Sequence, residues 1–98
     1  MKAIYYGGYQ ERSWKGKDGT EIRPARLHAC FLVPCVKETA FGRMSLDVVV
    51  SDSVLPAGFF EDFPLLSEVN IDVVTDVEQF GQSARVTNYL VAFEVTHD

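Results

Sequence analysis

Met44-Ser45-Leu46-Asp47-Val48-Val49-Val50-Ser51 decides the fold class. Its even positions are all apolar and its odd positions mostly polar, the two-residue period of a strand with one buried face. Val69-Asn70-Ile71-Asp72-Val73 alternates in the same way on odd positions. Near the end, Tyr89, Val91, Phe93 and Val95 share one face, with Asn88 and Glu94 on the other. Ile4–Trp14 and Ile22–Val33 are two earlier stretches rich in aromatic and β-branched residues, which suit a pleated, half-buried surface. Five strands are therefore expected.

The turns fall where a meander needs them. Lys15-Gly16-Lys17-Asp18-Gly19 is a strong reversal, because Asp-Gly supplies the positive φ of a tight turn. Val54-Leu55-Pro56-Ala57-Gly58 ends the third strand, and Gln79-Phe80-Gly81-Gln82 separates the fourth from the fifth. Residues 59–68 carry Phe59, Phe60, Phe63, Leu65 and Leu66, and a short helical turn is expected beside Pro64. Nothing longer than about two helical turns is expected. Five strands with one longer connection in 98 residues match a small OB-like Greek-key barrel, all-β and a single domain over 1–98.

Charge narrows the function classes. The chain carries a net −5, but unevenly: residues 1–43 hold eight cations against four acids, and residues 44–98 hold Arg85 alone against ten acids. Two readings are open, one basic working surface on an acidic body, or scatter over a solvated surface. No apolar run is long enough to span a bilayer, and Met1–Gly8 is too short and too aromatic for a signal peptide, so a cytoplasmic protein is expected. Cys30 and Cys35 fit a reducing compartment and read as small buried hydrophobes. His28-x-Cys30-x4-Cys35 offers three of the four ligands zinc needs, at an unfamiliar spacing, so no metal or other cofactor is expected. Nucleophile-elbow, phosphate-loop and zinc-protease motifs are all missing, and neither an enzyme nor a small-molecule substrate is expected.

The informative stretch runs from Gln10 to Arg26. Arg12, Lys15, Lys17, Arg23 and Arg26 share it with Trp14, Gly16 and Gly19, on a reversal that should project into solvent as a basic β-hairpin wing. Single-strand binders combine these types: cations track the phosphates, and an aromatic face stacks on any base. A lone tryptophan is also a natural core residue, but the polar neighbours of Trp14 favour exposure.

Together these residues resemble the filamentous-phage gene V type of single-stranded DNA-binding protein. Arg12-Ser13 with the Gly-containing basic loop and then Cys30-Phe31 is similar to that family's DNA-binding wing and following strand. Asp52-Ser53-Val54-Leu55-Pro56-Ala57-Gly58-Phe59 is similar to its turn after the third strand. Val77-x-Gln79-Phe80-Gly81, with a strand ending Leu90-Val91, is similar to its last hairpin. The resemblance implies a homodimer that coats single-stranded DNA cooperatively, whatever its sequence, during replication of a phage or another mobile element. It implies Arg12 and the loop cations on phosphates, Phe31 as a base-stacking aromatic and Phe80 at the hairpin tip. A looser alignment adds Phe41, and Arg43 joins the cationic set. The wing is about one residue longer than the family's, 60–68 reads as an insertion, and Thr87 stands where a basic residue is usual, with Arg85 nearby. Two other classes stay open: an acidic protein-binding module that mimics nucleic acid, and an RNA-binding OB fold.

Overall fold

The computed structural model describes residues 1–23, 25–35, 42–56, 58–80 and 82–96, and only the backbone of Ile22, Arg23 and Phe80. The described residues form seven strands: β1 (Lys2–Glu11), β2 (Trp14–Lys15), β3 (Glu21–Arg23), β4 (Arg26–Pro34), β5 (Arg43–Val50), β6 (Glu68–Phe80) and β7 (Ser83–Val95). The chain is all-β. Five strands close in a ring in the order β1-β4-β5-β7-β6, and β2 and β3 form a separate ribbon.

Ring closure depends on β1, whose start, Lys2 to Ile4, pairs with β6, while Ile4 to Glu11 pairs with β4. All pairings are antiparallel except that of β5 with β7, which meet in parallel where Val49 faces Tyr89. The alternation of the 44–51 stretch is realised in part: Leu46, Val48 and Val50 of β5 face a core shared with Ala29, Phe31 and Val33 of β4, while Met44 is exposed and Val49, of the other parity, is buried. Ile71 and Leu90 fill the middle from β6 and β7. Each fully buried side chain of this kind contributes about 1.5–3 kcal/mol.

Three expected boundaries shift. The Ile4–Trp14 stretch breaks after Glu11, so Trp14 belongs to the separate ribbon. The Ile22–Val33 stretch divides into β3 and β4 around Pro24, a residue with no N–H to give a ladder. β6 and β7 run 13 residues each, far beyond their alternating cores, because a register shift between Asp72 and Val73 interrupts the pattern without ending the pairing.

Residues 58–66 are turns. Their phenylalanines plug the ring: Phe60 stacks on Tyr5 at 4.9 Å, and Phe59 and Phe63 pack against Phe93 at 5.4 and 5.6 Å. The segment therefore spends its aromatics on the core and leaves Leu65 and Leu66 outside. Among the described residues no helix is long and apolar enough to cross a membrane.

Candidate functional site

The outer face of β1, β4 and β5 is built by a defect. After Tyr5, which points into the core, strict alternation would turn Tyr9 and Glu11 inward as well. A bulge prevents this: the register shifts between Tyr5 and Gly7, so that Gly7 pairs with Cys30 and Gly8 with Ala29. Gly7 takes φ 141°, a region that favours glycine. Gly8 lies so close to β4 that a Cβ there would sit 2.6 Å from the His28 carbonyl oxygen. One inserted residue thus turns Tyr9 and Glu11 outward, onto the side that Tyr6 already faces.

Each outward side chain finds a partner across the strands. Tyr6 shares a 2.6 Å hydroxyl–hydroxyl hydrogen bond with Ser45. Tyr9 lies flat on the His28 ring, with centroids 4.6 Å apart and planes 10° from parallel, and donates its hydroxyl to Asp47 Oδ2 at 2.5 Å. That hydrogen bond, with burial and the Asp47 charge behind it, pushes the Tyr9 pKa up to about 12. His28 is held at both ring nitrogens, by Glu11 at Nε2 and by Asp47 Oδ1 at Nδ1, 2.6 Å away. Burial, followed by the Asp47 charge, raises the Cys30 thiol against a hydrogen bond from Tyr6 that lowers it. A thiol raised in this way is a weaker nucleophile.

A second cluster joins this face to the long hairpin. Arg26 Nη1 donates to both oxygens of Glu78, at 2.9 and 3.1 Å, and to the Tyr89 hydroxyl at 3.2 Å, while its Nη2 lies 3.8 Å from Glu11. Burial alone would raise the Glu78 carboxyl. Hydrogen bonds from Thr87, Tyr89 and Arg26, with the Arg26 charge, outweigh it and hold the pKa at about 2. Beside the cluster, an open cleft of about 820 Å³ runs between Tyr9, Arg26 and Tyr89 on one side and Phe60 and Glu61 on the other.

The expected site residues divide. Arg12, Trp14, Lys15 and Lys17 are all exposed around the β2–β3 ribbon, Trp14 at 38 %. The Lys15–Gly19 reversal forms as expected: Gly16 N–H donates to Thr20 O, Gly19 N–H to Gly16 O, and Gly19 takes φ 82°. Arg23 pairs with Trp14 across the ribbon. Arg43 is exposed at the start of β5, opposite Pro34. Phe80 ends β6 opposite Ser83. Phe41 lies outside the described residues.

Two assignments are corrected. Phe31 is 0 % exposed, packed edge-on against Tyr5 at 5.9 Å, and offers no face to a base. It shares the inward parity of Ala29 and Val33. Arg26 is committed to Glu78, Tyr89 and Glu11, so it positions the hairpin and is not a free phosphate contact.

Sequence reasoning missed Tyr6, Tyr9 and Asp47 as site residues; the signal for the tyrosines was Gly7-Gly8 within a strand, a mark of a bulge. Arg85 also belongs here, lining a shallow hollow with Glu11, Arg12, Ser13 and Trp14. Such a surface offers flat aromatic rings and a fixed carboxylate, with exposed cations at its edge, of which Arg85 lies 3.9 Å from Glu11. Among the described residues no cluster of His, Cys, Asp or Glu could hold a metal ion. Compared with known proteins, the chain matches no family model, no curated protein and no solved structure.

Proposed function

We propose that this chain is a single-stranded DNA-binding protein that coats its ligand along the outer face of β1, β4 and β5. The observation that carries the reading is the solvent-facing pair Tyr6 and Tyr9 on the same side-chain layer as His28 and Asp47, with Trp14, Arg12 and Arg85 around Glu11. Aromatic faces stack on bases of any kind, and Arg12, Lys15, Lys17, Arg23, Arg43 and Arg85 supply cations for the phosphates.

Strand order supports the finer architecture. Counting only the ring strands, the order is first, second, third, fifth, fourth, with the fourth closing on the first. That order agrees with the circuit of a five-stranded OB-like Greek-key barrel and supports this reading of the ring. Folds of this type bind oligonucleotides on the second and third strands and on the loops joining the first to the second and the fourth to the fifth. In this chain those loops are the β2–β3 wing and the β6–β7 hairpin.

The hairpin supports a homodimer. On one of its faces Val77 pairs with Val86, and both are exposed, at 63 % and 71 %. Thr75 and Asn88 lie beyond them on one side, Gln79 and Ala84 on the other, and none of the six is charged. An uncharged, apolar-centred ribbon face on an acidic chain suits a two-fold contact with its own copy.

The test uses Trp14, the only tryptophan, as a reporter. Titration with oligo-dT is expected to quench its fluorescence, and Tyr9→Ala is expected to weaken binding by about 1–3 kcal/mol per contacted base. An unchanged signal together with no oligo-dT affinity overturns the reading. A clear preference for RNA of equal length would move the function to RNA.

A further inference from the structure

Arg85 is the one lysine or arginine between residues 44 and 98. Its cross-strand neighbour on β6 is Glu78, but both oxygens of that carboxylate accept from Arg26 Nη1. Arg85 is paired instead with Glu11, its Nη1 lying 3.9 Å from Glu11 Oε1. The two partners are unequal, since the Arg85 side chain is 60 % exposed and that of Glu11 only 20 %. The second oxygen of Glu11 is held by His28 Nε2 and lies 3.8 Å from Arg26 Nη2. Glu11 therefore keeps His28 and Arg26 if Arg85 moves away. With Arg12, Ser13 and Trp14, these two side chains line the shallow hollow beside the wing.

Resting on the single-strand reading above, we propose that this hollow holds one DNA phosphate and that Arg85 reaches it by leaving Glu11. Arg12 follows β1 and Arg85 belongs to β7, so two guanidinium groups from separate elements serve one oxyanion, and Ser13 adds a hydroxyl donor. A guanidinium presents its N–H donors as a planar fork that matches phosphate oxygens. At 3.9 Å the Arg85–Glu11 contact is an ion pair beyond hydrogen-bond length, and exposed pairs of this kind hold weakly. A phosphate offers charge-assisted hydrogen bonds in its place. Glu11 acts as an internal competitor. Its carboxylate occupies Arg85 in the free protein and repels the incoming phosphate, so it sets how much of the arginine's attraction reaches the ligand.

The test is a double-mutant cycle on oligo-dT affinity with Glu11→Gln, Arg85→Gln and the two together. Gln at position 11 keeps an acceptor for His28 and removes the charge. Glu11→Gln is expected to bind about two- to fivefold more tightly, the range that release of one exposed ion pair provides. Arg85→Gln is expected to weaken binding, and by a larger factor when position 11 is Gln than when it is Glu. Its plot of log affinity against log salt should be shallower by about 0.7, the loss of one phosphate contact on a single strand. Independent factors in the cycle, or a folded Glu11→Gln that binds no more tightly than the parent, overturn the exchange of partners. Should Glu11→Gln melt early, Arg85→Gln decides by itself: the shallower slope supports the phosphate subsite, and an unchanged slope and affinity overturn it while coating through the other residues stands. A parent that does not bind oligo-dT removes the single-strand reading itself and the subsite with it.

Discussion

Replacing Glu78 with Gln tests the joint between the long hairpin and the rest of the molecule. Glu78 has its carboxyl pKa lowered from 4.5 to about 2. A separation of about 2.5 units corresponds to about 3.4 kcal/mol at about 1.36 kcal/mol per unit. The Glu78 side chain is 20 % exposed, so solvent screening reduces this, and about 2 kcal/mol is the working expectation at neutral pH. In a domain of this size that lowers the melting temperature by about 8–16 °C. Gln keeps an acceptor for Thr87 and Tyr89 but leaves Arg26 without its closest charge. The pH dependence has a definite sign. A depressed carboxyl stabilises the fold fully above its unfolded value, and the contribution is lost as pH falls from about 4.5 to about 2. The stability difference between parent and Glu78→Gln, from denaturant melts followed by circular dichroism, should be flat above about pH 5 and vanish near pH 2. A difference below about 0.5 kcal/mol at neutral pH, or one that does not shrink in acid, would refute the assignment of this cluster as a structural joint.

Other perturbations separate fold from surface. Phe31→Ala should cost about 3–5 kcal/mol of stability in a denaturant melt, and DNA binding should fall only as the fold is lost. Trp14→Ala should melt within a few degrees of the parent yet bind oligo-dT more weakly, and early melting would place Trp14 in the core. Gly8→Ala should destabilise the chain and disturb Tyr9, because the new Cβ collides with the His28 carbonyl; an unchanged melt would discredit the close β1–β4 approach. Light scattering should return about twice 11.0 kDa for the parent and about 11.0 kDa for Val86→Lys, while a parent mass near 11.0 kDa at high concentration would remove the dimer.

The all-β class was legible because one-sided burial imposes a period of two, and 44–51 and 69–73 display it plainly. The wing was legible because Asp18-Gly19 is local turn chemistry. What failed to show were events that cross the sheet. Phe31 was placed on the ligand side by resemblance alone, although its odd-numbered neighbours Ala29 and Val33 already signalled the core. Arg26 looked like one more wing cation, because its partners Glu78 and Tyr89 lie 52 and 63 residues away in sequence. Tyr9 was overlooked because its direction depends on a bulge that reverses the strand's parity, and only the Gly7-Gly8 pair hinted at it. Local rules recover turns and periods; the face of a closed sheet depends on register.

Binding of equal-length oligo-dT and duplex DNA, measured over a series of salt concentrations, bears most directly on the central claim. With four to five of the exposed cations on phosphates, log affinity for the single strand should fall with log salt at a slope of about −3. Duplex should bind far more weakly, because its bases are already stacked and cannot reach Tyr6, Tyr9 or Trp14. Equal affinity for the two ligands, or a slope near zero, would contradict the claim that this face coats single-stranded DNA.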